Sequence, residues 1–142
     1  MENTKSVISG VVGALVLTGL HQTIKKLYED APRVDLLGMQ AIAKIMQERT
    51  PEEDDLYTLS LTGDLVFNSL NYSMVGLSQK PIQMGAIIGF GTGLATAFLP
   101  GPLGLDDDLS SRNNSMRALS ISYYFLGGLA AGICLSVLRK RE

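Results

Sequence analysis

The chain has little of what most small enzymes and binding domains rely on. It has one cysteine, one histidine and no tryptophan in 142 residues, and 18% of the residues are charged. A single thiol, Cys134, excludes an internal disulfide and any multi-cysteine metal site. One cysteine and one histidine, His21, cannot supply the usual zinc constellations. Twelve basic residues against fourteen acidic ones leave a net charge of −2 with no basic stripe, which argues against nucleic acid as a partner. So little charge beside 46% hydrophobic residues excludes a disordered chain. No Ser-His-Asp order stands out by spacing, and Ser or Thr in apolar helices commonly bonds back to its own backbone. The expectation is no catalytic residue, no metal and no cofactor.

What the chain does have is segregation. Long uncharged blocks alternate with charged ones, and the mean hydropathy is +0.19. A helix needs about 20 mostly apolar residues to cross a bilayer. Four stretches approach that length, over about 6–28, 54–78, 81–99 and 116–138, the first of them mostly apolar only as far as Leu20. The expected fold is all-α: one membrane domain over 1–142, a four-helix transmembrane bundle with one amphipathic connecting helix at about 32–48. In that connector Val34, Leu37, Ala41, Ile42 and Ile45 share a side at helical spacing, opposite Arg33, Gln40, Lys44, Gln47 and Glu48. It is expected at the interface or capping the bundle. Lys5 followed by the apolar run Val7 to Leu20 also resembles a secretory signal, but no small-x-small cleavage pattern follows Leu20.

Punctuation supports these limits. Pro81 opens the third stretch and Pro100-Gly101-Pro102 closes it. Arg117 and Arg139-Lys140-Arg141 flank the fourth, where long basic side chains reach headgroups. Thr50-Pro51-Glu52-Glu53 reads as a capping box, with Thr50 as N-cap, Pro51 first in the helix and Glu53 reaching back. Between the last two stretches lies a polar, acidic loop with Asp106-Asp107-Asp108.

The second stretch is the unusual one. On a wheel of 100° per residue, Tyr57, Ser60, Asn68, Asn71 and Ser78 fall within about 40° of Asp64. Asp64 is the one carboxylate well inside a stretch, and an ionised carboxylate at mid-membrane costs about 2.5 to 3.5 kcal/mol on insertion scales. It must therefore face the bundle interior or a wet cavity. One reading makes Asp64, Asn68, Asn71, Tyr57 and Ser60 an ion or substrate path. A second makes them a hydrogen-bond cluster that fixes helix register. A third breaks the helix at Gly63-Asp64 and leaves the acid as a cap.

The remaining helices carry small residues every fourth position. These are Ser6, Gly10, Ala14 and Thr18 in the first, Gly85, Gly89, Gly93 and Ala97 in the third, and Ser120, Gly128, Gly132 and Ser136 in the fourth. Such stripes let backbones approach closely, within the bundle or across a homodimer seam. Gly89-Phe90-Gly91-Thr92-Gly93 is no phosphate loop, since no strand precedes it and no lysine follows.

The leading expectation is a multi-pass membrane protein, in a bacterial inner (plasma) membrane, with a structural or accessory role exerted through helix contacts. Its partners would be the lipid bilayer and a second copy or another membrane protein. The alternative is a small transporter or channel with a proton- or cation-linked site at Asp64, Asn68 and Asn71. A membrane-embedded enzyme requires a second polar cluster, from His21 or Tyr124, opposite Asp64. Four spans would put five basic residues on the side of the termini and seven on the other, which leaves the orientation open.

Overall fold

Asn113 accepts a hydrogen bond from the Met116 amide at 2.9 Å and so caps the longest helix of the chain. In the computed structural model, which describes residues 2–49 and 51–141, six α-helices follow in order. They are α1 (Glu2–Leu27), α2 (Val34–Met46), α3 (Glu53–Ser73), α4 (Pro81–Phe98), α5 (Asp108–Ser111) and α6 (Asn114–Lys140). Short 3-10 turns, Gln47–Arg49 and Met74–Leu77, follow α2 and α3. No strand occurs among the described residues. Helices α1, α4 and α6 are long and apolar enough to cross a membrane. By the same measure α3 falls short, because Asp64, Asn68, Asn71 and three acids in its first turn dilute its apolar content.

Helix α6 is the central post. Along one face its backbone meets that of α4. A Cβ added at Gly93 would stand 2.8 Å from Ile121 Cα, one at Gly89 2.9 Å from Phe125 Cα, and one at Gly132 2.6 Å from Ile82 Cα. A Cβ at Gly85 would collide with the Gly128 carbonyl, and one at Gly128 with that of Gly85. Along its other face α6 receives α1, where a Cβ at Gly13 would lie 2.7 Å from the Gly127 carbonyl oxygen and 2.9 Å from Ala131 Cβ. Helix α1 in turn receives α3, with Gly10 against the backbone at Ser69 and Ser73. Ala14 is fully buried in the same seam. The order α4, α6, α1, α3 forms an open arc, since α3 and α4 meet only sparsely. Helix α2 packs on α3 and α5 across one end. The core consists of Ala14, Leu17, Tyr72, Val75, Tyr123, Tyr124, Ala131 and Leu135.

Small polar residues share the apolar core, and many large apolar side chains lie on the surface. Ser6, Ser9, Ser60, Asn68, Ser110 and Ser120 are buried, whereas Val7, Leu15, Val66, Phe67, Leu70, Ile87 and Phe90 are exposed. Exposed apolar side chains in this number suit a surface that meets lipid or another protein.

Several expectations require correction. Helix α3 begins at Glu53 with Glu52 in the extended N-cap position, so Pro51 lies before the helix rather than in its first turn. The expected N-cap, Thr50, lies outside the described residues. Gly63-Asp64 does not break α3, which runs unbroken past both. Ser78 leaves the polar seam, because the 3-10 turn at Met74–Leu77 tightens the winding before it. Ile45 lies off the packed face of α2 and is 81% exposed, as the last turn of α2 projects beyond α3. Leu37, on the same expected face, is buried.

Candidate functional site

Asp64 lies eleven residues into the 21-residue α3, about 16 Å from its start at the usual rise. The winding of α3 places Tyr57, Ser60 and Asp64 on the wall of one partly enclosed cavity of ≈ 40 Å³. Helix α1 contributes Leu17, His21 and Gln22 to it, α2 contributes Val34 and Asp35, and α6 contributes Tyr123 and Tyr124. Such a volume holds a few water molecules, and the lining offers them polar partners. The Tyr123 ring is 2% exposed, and its hydroxyl has no hydrogen-bond partner among the described residues.

Asn68 is buried and donates to the Asp64 carboxylate at 2.9 Å and to the Asp64 carbonyl at 2.9 Å. It thus supports Asp64 from behind, without lining the chamber itself. Asn71 is turned elsewhere. It donates to the Thr92 hydroxyl at 2.8 Å and makes a side-chain tie between α3 and α4. The sequence groups Asn71 with Asp64 because both fall on one helix stripe, but by Asn71 that stripe has travelled two turns along the axis. The structure therefore brings together Asp64, Asn68, Tyr57 and Ser60 and leaves Asn71 outside. His21 and Tyr124, the residues required for a second polar cluster, stand on the chamber wall opposite α3.

The outer end of the chamber is built around Asp35, which the sequence reading passes over. Its side chain is 5% exposed. It accepts from Lys25 at 3.0 Å and from Arg33 through two nitrogens, each at 3.0 Å. His21 lies 3.9 Å from it and directs Nε2 at the Pro32 carbonyl oxygen, 3.1 Å away. Burial pushes the Asp35 carboxyl up, but the hydrogen bonds and charges of Arg33 and Lys25 outweigh it and hold the group at about 2. Lys25 also sits 5.8 Å above the Tyr57 ring. Ser60 donates to the Asp35 backbone carbonyl at 3.4 Å, and Gln22 approaches the Tyr57 hydroxyl at 3.5 Å. A signal for Asp35 exists in the sequence. On the helical wheel it stands about 20° from Ile42, at the edge of the apolar side of α2, where an acid requires a partner.

The two carboxylates differ in company. Asp35 is paired with two cations, whereas Asp64 has Asn68 of its own helix as its side-chain partner among the described residues. Asp64 does not tie α3 to another helix. Asp106, Asp107 and Asp108 also converge, but all three are exposed.

The glycines expected to mediate close packing, Gly85, Gly89, Gly93, Gly128, Gly132 and Gly10, all face helices of the same chain. No protein-family model, curated protein or solved structure matches the chain.

Proposed function

We propose that the chain is a four-helix integral membrane protein that moves protons, with Asp64 as the central proton-carrying group. One observation carries the reading: a mid-helix carboxylate without an ion-pair partner faces a chamber walled by exchangeable groups. Tyr57, Ser60, Tyr123 and His21 line the same chamber as Asp64 and Asp35, and waters among them would complete a relay. The chamber volume suits a few water molecules.

Helix α3 serves as the fourth span in this reading. Its exposed large side chains, Leu59, Val66, Phe67 and Leu70, are apolar, while Ser60 and Asn68 point inward. Its low hydropathy comes from the exposed acids of its first turn, Glu53, Asp54 and Asp55, and from the inward polar stripe with Asp64 and Asn68. A purely accessory role through glycine stripes is less well supported, since those stripes are filled by the chain itself.

The test is proton flux into proteoliposomes with an internal pH dye, driven by a potassium diffusion potential. Wild-type protein should acidify the lumen well above empty vesicles. Asp64→Asn should reduce the rate at least tenfold, and Asp64→Glu should retain part of it. A wild-type rate equal to that of empty vesicles, or an Asp64→Asn rate equal to wild type, overturns the proposal.

A further inference from the structure

Asp64 has a second approach. Between the splayed α3 and α4 runs an open groove of ≈ 450 Å³, and Asp64 and Tyr124 line both it and the chamber. Leu37 and Ala41 of α2 roof the groove, Ala95 of α4 forms its far wall, and Phe67 and Leu103 stand at its rim. Its walls are overwhelmingly apolar, and Asp64 is the one ionisable carboxylate on them. The titratable groups that line these two spaces with Asp64 are His21 of α1, Asp35 of α2, Tyr57 of its own helix, and Tyr123 and Tyr124 of α6, while α4 contributes the neutral Thr92 and Thr96. Among the described residues no Lys or Arg lines the groove.

A volume of this size lies within the range of small-molecule sites, which pair apolar walls with a few placed polar groups. The polar group here is an acid. Beside it stand the ring of Tyr124, which is 5% exposed, and the 61%-exposed ring of Phe67. An apolar slot with aromatic rings and one carboxylate is complementary to a lipophilic monovalent cation, whose charge the acid balances and whose hydrocarbon the walls accept. We infer that this groove binds a hydrophobic organic cation, of the amine or onium class, against Asp64. The inference rests on the proposed proton function of the same residue: the cation enters from the groove while the proton reaches Asp64 from the chamber. The carboxylate serves one of them at a time, so binding of the cation displaces the proton.

The probe is tetraphenylphosphonium, with tetraphenylborate as a control of nearly the same shape and opposite charge. Equilibrium dialysis against the detergent-solubilised full chain should show saturable binding of one cation per chain, with the anion at least tenfold weaker. Asp64→Asn should weaken cation binding at least tenfold. Ala95→Phe, which fills the slot, should do the same. Phe67→Ala, at an exposed position that folding tolerates, should weaken it at least threefold. Equal binding of the two ions overturns the inference in favour of simple partition into apolar surface. Binding indifferent to both Ala95→Phe and Phe67→Ala places the cation elsewhere and also overturns it. So does a tightly held lipid that neither ion displaces, which would make the groove an acyl-chain site. Proton flux without cation binding leaves the preceding proposal standing and removes this one. Cation binding without flux does the reverse.

Discussion

Burial by itself would drive the Asp35 carboxyl up, yet Arg33 and Lys25 hold it at about 2. A group whose pKa is lowered on folding from 3.8 contributes stability that is fully present above pH 4 and lost as the pH falls through about 2. The contribution is about 2 kcal/mol. Thermal unfolding followed by circular dichroism should therefore show a melting temperature that drops between pH 4 and pH 2. Asp35→Asn should melt lower at pH 7 by an amount equivalent to about 2 kcal/mol and lose that pH response. A variant that follows the wild-type pH profile would show that the cluster does not hold α2 in place. The contrast between Asp35 and Asp64 marks what was legible at this scale. Asp64 stands out in the sequence because the run from Leu56 to Ser78 is otherwise uncharged. Asp35 is hidden, since an acid in the first turn of an amphipathic helix reads as an ordinary favourable charge for the helix dipole. Only the fold brings Lys25 and Arg33 to it from either side of the break at Pro32. Asn71 erred in the other direction: it shares the stripe but meets Thr92.

At the scale of the element, the glycine stripes were readable in number and spacing, while their partners were not. Small residues every fourth position signal close approach and carry no information on which helix approaches. The structure sets the α4 stripe against α6 and gives α6 two working faces, Gly128 and Gly132 toward α4 and Gly127 and Ala131 toward α1. A paired substitution tests this. Gly89→Ala should cost about 2 kcal/mol, because its Cβ would press on Phe125 Cα and the Tyr124 carbonyl. Gly91→Ala, two residues along with nothing near its Cβ, should instead stabilise by roughly 0.5 kcal/mol through helix propensity. Reversible unfolding in detergent measures both, and equal effects would contradict the packing described. Helix α3 is the element on which hydropathy and structure part company. Averaging over the whole helix counts its covered polar stripe and its outer apolar face alike. With Cys134→Ser as background, Val66→Cys should resist a membrane-impermeant maleimide in intact vesicles, whereas Glu53→Cys should react from one side. Equal rapid labelling would place α3 in water.

For the whole molecule, polar contacts fasten the bundle at each end. Arg139 pairs with Glu2 and donates to the Ser78 carbonyl at 2.7 Å and the Gly76 carbonyl at 3.2 Å, joining the last turn of α6 to the start of α1 and the turn after α3. At the opposite end Lys44 donates to the Leu103 carbonyl at 2.6 Å and the Gln40 side chain accepts from the Asp106 amide at 3.0 Å, fastening α2 to the loop before α5. Between these two fastenings α3 and α4 stay apart, which leaves Asp64 open to both the chamber and the groove. The all-helical class and the limits of the long helices were legible from periodicity, Pro81 and the flanking charges. The open arc was not, because it depends on which small-residue faces pair. Proton movement through the bundle requires water to reach Asp64, and isotope-edited infrared spectroscopy of its carboxyl in nanodiscs tests that most directly. The expected band responds to bulk pH and exchanges rapidly with solvent deuterium. A band that ignores pH and exchanges slowly would make Asp64 a dry contact between helices and contradict the proposal.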